Sequence, residues 1–452
     1  MSVRGNHSSG KPYRRRNRAR LATVAVVAVG TLLFTACSAP SSTSTGKDTK
    51  LSNSGPLSIT WYGSDARNQL VAQVVSDFGA KNPSVKIETS PTAFATYWDR
   101  VSVQAAGKSL ACVPTMQTRY EAKFENKGSL LPLDALVKDG TIDVSKISRN
   151  SIKNQKGSDG KLYAIPYGYW FEGAVYNETA IKGVGASLPK ANWGWSDYVD
   201  WAKTVQPKLA SGTYALGDRG GQITQFQSFA LQHGEDLFGK NKVGFTTKTL
   251  TDWFTLWNDA RKAGVVPTAD MTAQDQNAPT SANLLAKGNV LVSSTGDNNV
   301  ADSQKALSAI NGGTLQMVGS PTGGKPQVVG SNSWAISSNC TNVKDAAAFI
   351  NYFVNTPSVA TTLQAQTGLP VDNSIMNAEL NDSSTDPAIK ARISLFQDIS
   401  KAGARVDVWP DKTQSLVNLF ENTYEQIAFG KTSIANGVKA FMEQANTALA
   451  GF

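Results

Sequence analysis

Hydrophobic and polar positions alternate along this chain with a period that switches repeatedly between two and about 3.6. Residues 57–62 (LSITWY) alternate as a half-buried strand does. Leu70, Val71, Val74, Val75 and Phe78 then recur at helical spacing behind Ser64 or Asp65 as a cap, and Asn82-Pro83 stops that helix. Residues 85–88 read as the next strand, and a helix over about 96–107 leads to a strand at 111–116. Further strands are predicted at 161–165, 172–177, 213–217, 289–293, 314–319 and 333–337. Helices are predicted near 196–205, 222–233, 248–263, 280–287, 343–355, 388–401, 413–429 and 433–449. This βαβα order predicts an α/β fold on a largely parallel sheet covered by helices. Ligands in such sheets bind beyond the carboxyl ends of the strands. Trp61-Tyr62-Gly63, Met116-Gln117 and Ser294-Thr295-Gly296-Asp297 sit at such ends.

The N-terminal pattern is different. Residues 1–20 are polar and basic, 21–34 are apolar, and Thr35-Ala36-Cys37 follows, the layout of a secretory signal over 1–36. Phe34-Thr35-Ala36-Cys37 resembles the bacterial lipobox, with Phe34 where Leu is usual, and the resemblance implies a diacylglyceryl group on Cys37. Arg15-Arg16 resembles a twin-arginine signal, but Asn17-Arg18 stands where apolar residues would follow, so the export route is left open. The Ser/Thr-rich stretch over 37–55 cannot bury apolar area and reads as a flexible tether. Two acyl chains at about 0.8 kcal/mol per buried CH₂ would anchor the protein at a membrane surface. No other stretch approaches the length of apolar run needed to span a bilayer.

Charge narrows the function classes. The 452-residue chain has a formal net charge of +9, but seven basic residues and no acid fall within 1–36, leaving +2 on the rest. A nearly neutral body gives no electrostatic argument for nucleic acid. Of two histidines, His7 lies in the basic leader and only His233 remains, so sites with two His ligands are excluded and thiolate zinc sites lack cysteines. No metal or cofactor is therefore expected. No phosphate loop, dinucleotide fingerprint, HExxH or GxSxG motif occurs. A pair of carboxylates for glycoside hydrolysis is not excluded by composition.

Aromatic residues carry the positive signal. All ten tryptophans lie in the body, and Trp61, Trp98, Trp170, Trp334 and Trp409 fall at predicted strand ends and loops. Flat rings cover the apolar C–H faces of pyranoses, while Asp, Asn, Gln and Arg meet their hydroxyls, an arrangement typical of small-ligand sites. Trp201, Trp253 and Trp257 lie on predicted helices and read as core.

Taken in order, these segments resemble the bacterial extracytoplasmic solute-binding proteins of carbohydrate ABC transporters, the family that includes maltose-binding protein. The resemblance rests on Ile59-Thr60-Trp61-Tyr62-Gly63 with Phe78 and Asn82-Pro83, and on Met116-Gln117-Thr118-Arg119-Tyr120 running to Gly128-Ser129-Leu130-Leu131-Pro132-Leu133-Asp134. It continues through Gly160-Lys161-Leu162-Tyr163-Ala164-Ile165-Pro166 with Val175-Tyr176-Asn177, Ala286-Lys287-Gly288, the blocks 330–337 and 346–353, and Gly368-Leu369-Pro370. It implies a two-lobe periplasmic-binding-protein-like fold of type II, with three hinge crossovers near 166–168, 315–317 and 368–370 and a ligand cleft between the lobes. Lobe 1 would comprise 56–166 plus 316–369, and lobe 2 would comprise 167–315 plus 370–452. It further implies a non-enzymatic, monomeric, lipid-anchored receptor on the outer face of the cytoplasmic membrane. Such a receptor captures a sugar or oligosaccharide and delivers it to ABC permease subunits by a hinged closure. The alternatives are a non-sugar solute in the same fold, or a lipid-anchored glycan hydrolase.

Carried over by position, the ligand residues are Trp61, Tyr62, Asp65, Arg67, Gln117, Arg119, Tyr169, Trp170, Asp297, Asn298, Ser331, Asn332 and Trp409. Gln117 stands where the family has Asp, Trp170 where Asn is frequent, and Cys112 where Asp is common. Arg67 has an alternative role as a surface partner of Asp65, and the loop Gly217-Asp218-Arg219-Gly220-Gly221 is either a cleft loop or a turn. Cys112 and Cys340 would share one lobe, either as a disulfide or as two small buried thiols.

Overall fold

The computed structural model describes residues 53–450, apart from residue 407. The signal, Cys37 and most of the tether lie outside the described residues. Among the described residues there are twelve strands: β1 Leu57–Thr60, β2 Ile87–Thr89, β3 Val113–Gln117, β4 Ala164–Asn177, β5 Tyr214–Leu216, β6 Phe238–Gly239, β7 Lys242–Val243, β8 Val290–Gly296, β9 Leu315–Gly319, β10 Val328–Ala335, β11 Leu369–Pro370 and β12 Arg405–Val406. Ten of them form one sheet with the path β2-β1-β3-β10-β4-β8-β5, to which β11 and β9 add on β4 and β12 on β10.

The sheet is mixed rather than largely parallel. β1 runs parallel to β2 and β3, and β5 to β8, as the alternating pattern requires. β10 lies antiparallel between β3 and β4, and β4 is antiparallel to β8, β9 and β11. These antiparallel pairs join segments far apart in sequence, so local periodicity carries no sign of them.

β4 is the spine. The two strands predicted at 161–165 and 172–177 are one 14-residue strand, buried almost throughout. Pro166, Gly168 and Gly173 look like breaks in the sequence, but Pro166 pairs with Ser333 in β10 and the two glycines mark close approaches. A Cβ on Gly168 would lie 2.5 Å from the Thr367 carbonyl oxygen, and one on Gly173 would lie 2.3 Å from that of Val318. Up to Phe171 β4 pairs with β10, and from Glu172 with β8. The predicted helix at 280–287 is instead a 3-10 turn, Thr280–Ala282, followed by turns. There the Asn283 side chain accepts the Ala286 N–H at 2.8 Å, taking a donor that a helix would use.

Two large hydrophobic cores flank this spine. One gathers Leu57, Ile59, Val71, Val75, Phe78, Phe349 and Phe353. The other gathers Trp195, Phe226, Trp253, Trp257, Phe420 and Phe441, which confirms Trp253 and Trp257 as core residues. The core memberships move two of the expected lobe boundaries. Met376, Ile393, Phe396 and Ile399 belong to the first core, so 370–401 packs with lobe 1 and not lobe 2. The ring of Phe396 stacks on Tyr169 with centroids 4.9 Å apart, which holds that segment against β4. β9 pairs with β4 over 173–177, beside β8, so the second crossing falls in 320–327 rather than at 315–317. The chain rejoins the second core at Trp409, Leu416 and Phe420.

Cys112, just before β3, and Cys340, after β10, are bonded, with Cα atoms 4.6 Å apart. The antiparallel pairing of β3 and β10 brings them together. Among the described residues, no helix is long and apolar enough to cross a membrane.

Candidate functional site

The carboxyl ends of β1 and β3 and the middle of β10 meet in a hydrogen-bonded floor. Tyr62 Oη donates to Asn332 Oδ1 at 2.8 Å, and Gln117 Nε2 donates to both oxygens at 3.3 Å. Asn332 Nδ2 in turn donates to the Thr367 carbonyl at 2.8 Å. Burial pushes the Tyr62 phenol well above its ordinary pKa, so the floor is uncharged. With an amide at 117 in place of a carboxylate, it offers mixed donors and acceptors rather than acceptors alone.

An aromatic wall rises from the floor. Helix Phe94–Ala106 presents Phe94 and Trp98, and Tyr120 stacks on Trp98 with centroids 4.0 Å apart and planes at 11°. Tyr62 meets Phe94 edge to face at 5.0 Å. Phe94 is 44% exposed, which leaves part of an aromatic ring open to solvent at the top of the wall. Tyr120 Oη donates to Gln414 Oε1 at 3.2 Å, reaching helix Thr413–Ala428 of the second core.

A charged cluster lies beside this wall, beginning at Arg119, the neighbour of Tyr120. Arg119 donates from both Nη1 and Nη2 to Glu172 Oε1 at 3.3 Å, and Gln225 Nε2 donates to Glu172 Oε2. The guanidinium carbon lies 4.3 Å from the Trp170 ring centroid and 5.1 Å from that of Trp409, cation–π distances for both. An open pocket here is lined by Arg119, Trp170, Glu172, Thr224, Gln227 and Gln327. The cluster draws on the turn after β3, on β4, on helix Ile223–Gln232 and on the segment before helix Thr413–Ala428, so it bridges the two cores.

Behind the Arg119–Tyr120 turn, Glu121 is buried against Ser333, with Gln155 bridging Ser331 and Ser333. Burial, with the neighbouring Glu125 second, pushes the Glu121 carboxyl well above the usual carboxylate range, while a hydrogen bond from Ser333 opposes it. Among the described residues, no cluster of three or more His, Cys, Asp or Glu has the geometry to hold a metal ion.

The structure brings together Tyr62, Gln117 and Asn332 in the floor and Arg119, Trp170 and Trp409 in the cluster. It assigns four other expected residues to the frame. The Trp61 ring belongs to the first core. Tyr169 Oη bonds Ser151 at 2.7 Å, and its ring is covered by Phe396. Ser331 Oγ is buried and hydrogen-bonded to the side-chain amide of Gln155 at 3.0 Å. Asp297 is fully buried, accepts the Phe171 N–H at 3.1 Å and pairs with Arg392 at 2.6 Å, so neither carboxylate oxygen is left for a ligand. Asn298 is half-buried in the 3-10 turn Asp297–Asn299, and Asp65 is exposed in the first turn of helix Asp65–Lys81. Arg67 is buried and makes no ion pair with Asp65.

The loop 217–221 is also frame. Tyr424 Oη donates to Asp218 at 2.6 Å, Arg261 pairs with the same carboxylate, and a Cβ on Gly220 would lie 2.2 Å from the Tyr424 ring. Sequence reasoning did not point to Phe94, Tyr120, Glu172, Gln225 and Gln414, which the structure adds to the candidate site. Glu172 left a legible trace, as the one acid in the otherwise uncharged strand AIPYGYWFEGAVYN.

Solved structures share this architecture. An extracellular solute-binding protein family 1 member from Alicyclobacillus acidocaldarius is 24% identical, with 88% of this chain and 100% of that chain covered and a TM-score of 0.65. The GacH receptor of Streptomyces glaucescens, solved unliganded and with acarbose, is 16% identical over 88% of this chain and 99% of that chain, with a TM-score of 0.74. An ABC substrate-binding protein of Listeria monocytogenes in complex with cycloalternan is 17% identical over 87% and 99%, with a TM-score of 0.72. At these identities the likeness establishes the two-lobe α/β fold. The sequence itself, over residues 73–391, matches the profile of one family that spans most of both cores, and the chain belongs to the bacterial extracellular solute-binding proteins.

Proposed function

We propose that this protein captures a sugar or oligosaccharide outside the cell and hands it, unaltered, to the permease of an ABC importer. The observation that carries this reading is that the aromatic group of Phe94, Trp98 and Tyr120 stands beside the polar cluster of Arg119, Glu172 and Gln225, where segments of both cores meet. Rings stack on the C–H faces of a pyranose while amides, guanidinium and carboxylate take its hydroxyls. The relatives solved with acarbose and cycloalternan support a saccharide as ligand. Tyr62, Gln117, Arg119, Trp170, Asn332 and Trp409 are the residues of the original set proposed to meet it, joined by Phe94, Trp98, Tyr120, Glu172 and Gln225. The cleft acid Glu172 is held by Arg119 and Gln225, an arrangement suited to binding rather than to proton transfer. The signal over 1–36 and the lipobox at Cys37 support export and a lipid anchor, with the body working as a monomer beside its permease.

Calorimetric titration with a panel of mono- and oligosaccharides tests the reading. At least one sugar is expected to bind saturably at one site. Phe94→Ala removes a ring that is already half in solvent, and is expected to weaken that binding about 2- to 10-fold, the value of a ring contact of ~0.5–1.5 kcal/mol. A panel that yields no binding rejects the reading.

A further inference from the structure

One charge at the carboxyl end of β1 has no counterpart. Arg67, in the first turn of the 17-residue helix Asp65–Lys81, is 9% exposed. Its Nε is buried without a hydrogen-bond partner, and among the described residues its guanidinium forms neither a hydrogen bond nor an ion pair. Among the described residues the other two buried arginines are answered, Arg219 by Asp275 and Arg392 by Asp297, and the partly buried Arg119 and Arg261 pair with Glu172 and Asp218. A guanidinium taken out of water with no partner costs folding free energy.

The side chain folds back over the strand end. A Cβ on Gly63 would lie 2.9 Å from Cβ, Cγ and Cδ of Arg67. The charge is felt at the cleft floor: burial raises the phenols of Tyr62 and of Tyr167, the latter to about 12, and Arg67 pulls both back down. The N-terminus of the helix adds positive potential of the same sign. Asp65, two residues earlier, is exposed and leaves the charge unanswered. With Arg119 already paired to Glu172, the excess of positive charge in the buried part of the site belongs to Arg67.

Resting on the saccharide reading above, we propose that Arg67 anchors an anionic group of the ligand, so that the solute is an acidic saccharide bearing a carboxylate or a sulfate. The planar fork of a guanidinium matches either group with two parallel hydrogen bonds.

The test is calorimetric titration of the intact protein with digalacturonate, with a sulfated disaccharide, and with the neutral parent of each. At least one anionic sugar is expected to bind about 10- to 100-fold more tightly than its parent, the range of a charge-assisted hydrogen bond. Which arm shows the gain distinguishes carboxylate from sulfate. In Arg67→Gln the gain is expected to vanish, and in Arg67→Lys, which keeps the charge but loses the fork, only part is expected to remain. Thermal melts of both variants confirm folding, and the lysine variant decides if the glutamine variant does not fold. Neutral parents binding as tightly as both anionic sugars, or an undiminished gain in the folded variants, overturns the assignment to Arg67 and leaves sugar capture standing. Absence of binding by every saccharide, neutral or acidic, overturns the function on which it rests.

Discussion

Replacing Arg392 with methionine is expected to destabilise the fold by about 3–5 kcal/mol, the cost of leaving a buried partner charge unanswered. Asp297 is fully buried, and Arg392 Nε and Nη2 donate to its Oδ2 at 3.1 and 2.6 Å. The other carboxylate oxygen accepts the Phe171 N–H, and Arg392 also donates to the Ala365 carbonyl at 3.1 Å. The pair thus ties together the end of β8, the point where β4 exchanges β10 for β8, and helix Pro387–Lys401. Chemical denaturation of the single variant reads the loss. Asp297→Asn combined with Arg392→Met removes both charges while keeping an acceptor for Phe171, and is expected to regain much of the stability. A double variant no more stable than Arg392→Met shows that packing, not charge, governs the site.

The second large effect is covalent. Cys112 and Cys340 are 228 residues apart in sequence, and closing a loop of that length restricts the unfolded chain by roughly 5 kcal/mol in the chain-entropy account. Replacing both cysteines with serine is expected to lower the midpoint of denaturation by a corresponding amount, and reductant is expected to have the same effect on the unaltered protein. Melts insensitive to both treatments show that the bridge adds nothing to stability. Export to an oxidising compartment, proposed from the signal sequence, is the setting in which such a bond persists.

Much of this architecture is legible in the residues alone, and the failures have a common cause. Helix Val343–Asn355 matches its predicted limits because Ala346, Ala347, Phe349, Ile350, Phe353 and Val354 repeat at helical spacing on one buried face. β4 was split because Pro166, Gly168 and Gly173 serve contacts with distant strands, which a local window reads as breaks. The antiparallel place of β10, the packing of 370–401 with the first core and the disulfide all depend on contacts between segments remote in sequence. In the candidate site, position at a strand end pointed to Tyr62 and Gln117, which the structure brings together with Asn332. The same rule over-assigned Asp297, since a buried acid at a strand end can equally be held by an arginine from another helix. Phe94, Tyr120 and Gln414 escaped because what qualifies them is contact between segments remote in sequence, which no single segment encodes.

The proposed function requires a cleft that holds a saccharide and leaves it chemically intact. Native mass spectrometry of the protein incubated with the best-binding saccharide, followed by denaturation and weighing of the released compound, tests this most directly. One sugar is expected to be retained per chain and released at its original mass. A protein that retains no sugar, or that releases a hydrolysed fragment, contradicts it.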